Sequence, residues 1–238
     1  MFLLQVVFFI FGLIFGSFIT ALSYRYPRKI SNIRGRSFCD NCKKQIAWYD
    51  NIPLFSYIIL GGKCRNCKSK ISLRYPAIEL ATGIGFALIG FQILPLILFS
   101  LLEIIFIIDL ENKMIPDLFI FLGILASIFN SQFTIYNTVL AGLLCATFLL
   151  LIHIATKGLG MGLGDVKFAV LGGMIVGLPL SPIWLGMAFL TGAAIGIILI
   201  LGKKAGLKSK IAFGPFLVIS IPITLLWGQK IINIILFH

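Results

Sequence analysis

Apolar runs alternate with short polar breaks along nearly the whole chain, and several are long enough to cross a bilayer. A transmembrane helix needs about 20 mostly apolar residues. The runs predict helices over about 2–24, 77–94, 96–110, 117–131, 137–156, 166–180, 182–202 and 215–236. Only the stretch 25–76 reads like a soluble segment. The expected fold class is an all-α polytopic membrane protein with about eight transmembrane helices. It divides into a first helix (1–24), a loop domain (25–76) and a multi-helix membrane domain (77–238). The apolar start, Met1 to Tyr24, has neither a basic leading region nor an evident small-residue cleavage site. It is expected to be a retained first helix and not a secretory signal.

Composition agrees with this pattern. The chain is 59% hydrophobic and 12% charged, which excludes an ordinary soluble domain. Charge then orients the helices. Residues 25–76 carry 12 Lys or Arg against only Asp40 and Asp50, which is ten of the chain's twelve net positive charges. Loops rich in Lys and Arg stay in the cytoplasm. Eight crossings with that loop inside put both termini outside. Lys113, Lys157, Lys167, Lys203, Lys204, Lys208 and Lys210 then all fall at cytoplasmic helix ends, and only Lys230 lies outward. The basic loop also suits anionic lipid heads or an acidic partner.

The loop holds Cys39-x2-Cys42 and Cys64-x2-Cys67, the spacing of a four-thiolate zinc site. Disulfides are the rival, but a cytoplasmic loop faces a reducing compartment. Four cysteines leave no open position for water, so the Zn2+ would be structural. Lys43, Lys44, Lys63, Arg65 and Lys68 would offset its negative charge. No nucleic-acid partner is expected: the loop's aromatics show no repeated basic–aromatic pattern, and Asn51 to Tyr57 reads as amphipathic, suited to the lipid bilayer surface. Cys145, alone in an apolar run, reads as a small buried hydrophobe.

Two aspartates sit where ionisable groups are expensive: Asp109 in Phe106-Ile107-Ile108-Asp109-Leu110, and Asp165 closing Gly162-Leu163-Gly164-Asp165. The topology brings both to the same membrane depth on the cytoplasmic face. Two close carboxylates share a proton, and one can act as base toward water while the other acts as acid toward a carbonyl. Gly160, Gly162 and Gly164 make the backbone before Asp165 permissive and slim, so an extended substrate could approach. The same glycines also serve helix packing, and Asp165 also suits a helix N-terminus. Asp117, after Pro116, reads as a helix cap. Glu103 lies six residues before Asp109, about 240° round a helix, and reads as a buried polar contact. His153 reads as a hydrogen-bonded structural histidine.

The chain resembles the type IV prepilin peptidases over nearly its full length. The resemblance rests on Gly16-Ser17-Phe18 leading to Tyr24-Arg25-Tyr26-Pro27, Gly35-Arg36-Ser37, the two cysteine hooks and Asp50-Asn51-Ile52-Pro53. It continues through Ile71 to Glu79, Ile108-Asp109, Ile115-Pro116-Asp117, Gly160 to Lys167, and Phe213-Gly214-Pro215-Phe216. It implies a membrane aspartic endopeptidase of the bacterial cytoplasmic membrane with Asp109 and Asp165 as catalytic pair, supported by Gly162 and Gly164. Its partners would be prepilins or pseudopilins of a pilus, secretion or DNA-uptake system. It also implies methylation of the new amino terminus, typically Phe, with S-adenosylmethionine. Ile19-Thr20 depart from the family's usual Leu-Asn at that point, which bears on methyl transfer and not on proteolysis. Residues alone leave two other readings: a transporter whose aspartates relay protons, and a zinc adaptor without chemistry.

Overall fold

The computed structural model describes residues 2–30, 37–130, 134–203, 206 and 211–236. Gly35, Arg36, Lys204, Lys208 and Lys210, singled out above, lie outside the described residues. Among the described residues the protein is all helical: α1 (Phe2–Arg25), α2 (Phe55–Ile59), α3 (Arg74–Ile89), α4 (Ile93–Asn112), α5 (Asp117–Asn130), α6 (Ile135–Ala155), α7 (Leu163–Val176), α8 (Ser181–Leu201) and α9 (Gly214–Leu236), with one 3₁₀ turn at Trp48–Asn51. Eight of these helices fall on the eight apolar runs. Five of them, α1, α4, α6, α8 and α9, are long and apolar enough to cross a membrane. The others, α3, α5 and α7, have 16, 14 and 14 residues.

Two boundaries move for local reasons. Pro76 and Pro95 stand inside the first turns of α3 and α4 and do not precede them. Backbone N–H groups have no intrahelical acceptor there, so proline costs nothing. The break between the two helices comes at Gly90 instead, where φ is +69°. That backbone region favours glycine.

Two compact units divide the chain at Ile104 and Ile105. In the N-terminal unit α1 packs along α3. A Cβ on Gly12 would come within 2.7 Å of Gly83 Cα, and one on Gly16 within 2.7 Å of Glu79 Cα. The two backbones approach this closely only because the residues between them are small. The outer face of α1 is apolar and exposed (Leu3, Val7, Phe11, Phe18), whereas Thr20, Ser23, Glu79 and Thr82 are buried. Arg74 donates to the Ser23 hydroxyl (2.8 Å) and the Thr20 carbonyl (3.3 Å), and the Thr82 hydroxyl meets the Glu103 carboxyl at 2.9 Å. A unit with apolar residues outside and polar ones inside is built for lipid, not water.

The loop of this unit contains two matching knuckles. In the first, Cys39 N–H donates to Lys44 O and Lys43 N–H to Cys39 O; in the second, Cys64 N–H donates to Ser69 O and Lys68 N–H to Cys64 O. Lys43 and Lys68, at equivalent positions, both take positive φ (58° and 60°). Each knuckle is closed by an isolated antiparallel bridge, Phe38 with Gln45 and Lys63 with Lys70.

In the C-terminal unit α7 is the central element, packed on α5, α6, α8 and α9. Phe168, Ala169, Leu171 and Val176 are fully buried. A Cβ on Gly173 would sit 2.7 Å from Ala141 O, and one on Gly142 2.7 Å from Val170 O, so α6 and α7 touch through their backbones. The Trp184 ring of α8 covers Gly172, and its Nε1–H donates to Leu217 O of α9 at 2.9 Å.

Candidate active site

Asp109 occupies the last turn of α4, following the fully buried Ile108, and is itself only 4% exposed. Its Oδ2 is buried without a hydrogen-bond partner. Such an atom is costly to leave bare, and these exceptions mark sites that take water or ligand. The first residue of α9, Gly214, lies against this carboxyl: a Cβ there would fall 2.5 Å from Oδ2. The Gly214 backbone N–H also interacts with the carboxyl. Pro215 follows at the second helical position, where its missing N–H loses nothing. The N-terminus of α9 thus turns its positive end toward Asp109.

Asp165 enters from α7. Gly162 precedes the helix in extended conformation, and its N–H donates to Asp165 Oδ2 at 3.2 Å. Asp165 therefore does cap the helix start, as its position suggested, and capping does not remove it from the site. The charge of Asp109 acts on Asp165, so the two carboxyls stand within electrostatic reach despite 56 positions of sequence. Ile115 touches both the start of α7 and the start of α9. Its side chain is 3.3 Å from where a Gly164 Cβ would be and 3.1 Å from where a Gly214 Cβ would be. Gly162 leaves similar room, since its Cβ would lie 3.1 Å from Asp165 Oδ2.

The remaining polar residues have other work. Asp117 is the first residue of α5, and both its oxygens accept from Lys167 Nζ (2.8 and 2.9 Å). Glu79 accepts from Leu54 N–H at 2.9 Å and interacts with Ser17. Glu103 meets Thr82. His153 Nδ1 lies 2.7 Å from Met161 O. Cys145 is buried on α6, beside Ser181. Gly214, Ile115 and Met161 were missed as site residues; the Gly214-Pro215 pair at a helix start was the one available signal.

In the loop, the Sγ atoms of Cys39, Cys42, Cys64 and Cys67 all lie within 4.8 Å of one another, and none is in a disulfide. Cys39 and Cys67 sulfurs are 3.8 Å apart. A tetrahedral site with Zn–S near 2.3 Å has S···S edges of about 3.8 Å, so the set fits. Hydrogen bonds from the Ser69 hydroxyl and backbone pull the Cys67 thiol down to about 5, whereas desolvation and the neighbouring sulfurs push Cys42 up to about 11, so the first thiolate of the cluster belongs to Cys67. Arg65, next to Cys64 in sequence, forms a bidentate pair with Asp50, with contacts of 2.7 and 2.9 Å.

Two family models match: the Bacterial Peptidase A24 N-terminal domain over residues 10–93 and the Type IV leader peptidase family over 96–197. The chain is 34% identical to the prepilin leader peptidase/N-methyltransferase of Legionella pneumophila (86% of this chain, 77% of that one). It is 32% identical to the one of Bacillus subtilis (95% and 96%). This chain belongs to the type IV leader peptidase family. It is similar as well to the Neisseria gonorrhoeae protein of the same name, at 30% identity over 89% of this chain and 86% of that one. No solved structure matches it significantly. As a leader peptidase it is a membrane enzyme with both aspartates inside the second matched segment. Gly214, although against Asp109, lies beyond that segment.

Proposed function

We propose that this leader peptidase removes the leader from type IV prepilins or pseudopilins at the cytoplasmic face of the membrane, with Asp109 and Asp165 as the reacting pair. One observation carries the reading: a buried carboxyl oxygen without a partner, on Asp109, within electrostatic reach of a second carboxyl at a helix N-terminus. Two such acids share one proton and titrate as a unit. The ionised member takes a proton from water as its oxygen attacks the scissile carbonyl. The protonated member hydrogen-bonds the carbonyl oxygen, then gives its proton to the departing amine as the C–N bond breaks. The scissile bond joins a basic leader, in the cytoplasm, to a hydrophobic helix in the membrane.

All eight helices on the apolar runs act as membrane segments, with the basic loop inside and both termini outside. The three short ones cross in a thinner or protein-lined section. Residues 25–76 act as a cytoplasmic zinc domain held by Cys39, Cys42, Cys64 and Cys67, and 77–238 as the peptidase domain. Zinc would cross-link the two knuckles and take no part in hydrolysis.

The relatives are also named N-methyltransferases, and we infer that this chain methylates the freed amino terminus with S-adenosylmethionine as donor. Among the described residues there is no glycine-rich strand–turn–helix cradle for such a nucleotide.

The deciding experiment is cleavage of a purified prepilin by membranes or detergent-solubilised enzyme. Asp109→Asn and Asp165→Asn should each reduce leader removal by at least about 10³-fold while the protein accumulates normally. Normal processing by either variant would remove the pair from the mechanism. Mass spectrometry of the product reads methylation in the same tube.

A further inference from the structure

We infer that His153 is a positioning residue for Asp165, acting through the single peptide group between Met161 and Gly162. The inference rests on the reading of Asp165 as one of the reacting acids.

The geometry is a short relay. His153 Nδ1 lies 2.7 Å from the Met161 carbonyl oxygen. A carbonyl only accepts, so Nδ1 carries the hydrogen and donates it. The other end of that peptide, the Gly162 N–H, donates to Asp165 Oδ2 at 3.2 Å. A peptide is planar, so fixing the direction of its C=O fixes the direction of its N–H. Donation to the carbonyl also polarises the peptide and strengthens what its N–H gives. The imidazole therefore sets both the aim and the strength of the hydrogen bond that holds the carboxyl.

The loop is folded to make this possible. Gly158 N–H donates back to His153 O at 2.8 Å, and Gly158 has φ +76°. A Cβ on Gly158 would lie 3.2 Å from His153 Cε1, so glycine lets the turn close over the ring. Met161 is buried, which keeps water from its carbonyl's neighbourhood. A second tie, Gly160 N–H to Thr156 Oγ1 at 3.1 Å, holds the same loop without touching the Met161–Gly162 peptide. That tie provides an internal control.

The test uses full-length enzyme and a purified prepilin, with kcat and KM measured separately. Leu and Asn have the same branching and nearly the same size, but only Asn can donate from the Nδ1 position. His153→Leu should lower kcat about tenfold or more with KM within about twofold, while His153→Asn recovers kcat to within about threefold of wild type. Thr156→Val, which loosens the loop but not the relay, should cost less than His153→Leu. Equal kcat for the Leu and Asn variants, or an equal loss in Thr156→Val and His153→Leu, would overturn the assignment. Asp165→Asn, assayed alongside, separates the two levels: if it is inert and His153→Leu is unimpaired, only the role of His153 falls. If Asp165→Asn cleaves normally, the catalytic reading beneath it falls.

Discussion

Each unit of this protein holds two acidic side chains in apolar surroundings, and the two pairs are treated differently. In the N-terminal unit Glu79 is answered by Leu54 N–H and Ser17, and Glu103 by the Thr82 hydroxyl. In the C-terminal unit Asp165 accepts from Gly162 N–H, but Asp109 keeps one buried oxygen bare, and glycine at position 214 lets the start of α9 lie directly against that carboxyl. A satisfied carboxyl joins elements together. One left unsatisfied is a standing cost in stability, which proteins tolerate where the group must meet something else. The difference sets Asp109 apart from Glu79, Glu103 and Asp165, each of which has a hydrogen-bond partner, and supports its proposed role as a reacting group.

The contrast can be broken most sharply by neutralising one acid of each pair. Asp109→Asn should lose at least about 10³-fold in cleavage, whereas Glu79→Gln, which keeps an acceptor oxygen, should stay within about threefold. Comparable losses in both would erase the distinction. Next in size is Gly214→Val, whose Cβ would fall 2.5 Å from Asp109 Oδ2 and displace the carboxyl, and which should lower kcat about 10- to 100-fold with substrate binding little changed. A fully active Gly214→Val would mean that the placement of the Asp109 carboxyl against α9 does not matter. On the scaffold side, Glu79→Leu should lower stability by roughly 1–3 kcal/mol by stranding the Leu54 N–H, read as a thermal shift in detergent.

Smaller effects test the loop. Cys39→Ser with Cys42→Ser should release one bound zinc per chain and loosen the loop to proteolysis, leaving residual cleavage by the membrane acids; an unchanged metal content would rule out the site. The smallest shift concerns the Asp50–Arg65 pair. The hydrogen-bonded Arg65 guanidinium holds the Asp50 carboxyl below the usual carboxylate range. The pair therefore stabilises the loop at and above ordinary carboxylate pKa values and is lost as pH falls through the lowered one. Proteolysis of the loop should quicken on acidification in wild type and show less pH dependence in Asp50→Asn.

The helices were legible because lipid-facing runs must be apolar along their whole length. Their ends were less so: Pro76 and Pro95 looked like breaks but fit first turns, and the real break needed the backbone at Gly90. Asp109 and Asp165 stood out because charge is rare in such surroundings. Ile115 did not, because an isoleucine in apolar sequence carries no local signal of what it touches, and Gly214-Pro215 signalled a helix start without saying which carboxyl lay against it. His153 was legible as a hydrogen-bonded residue, but its partner lies in the loop and could not be read from spacing. The pairing of Asp117 with Lys167, 50 positions apart, was hidden for the same reason.

Ile115 fills the gap between the glycine beside Asp165 and the glycine beside Asp109. One side chain is therefore in contact range of the starts of both α7 and α9. Trimming it would let those helix ends slide together, and a larger ring would wedge them open. The bulk at position 115 thus bears on how closely the two helix ends that carry Asp165 and Gly214 approach each other.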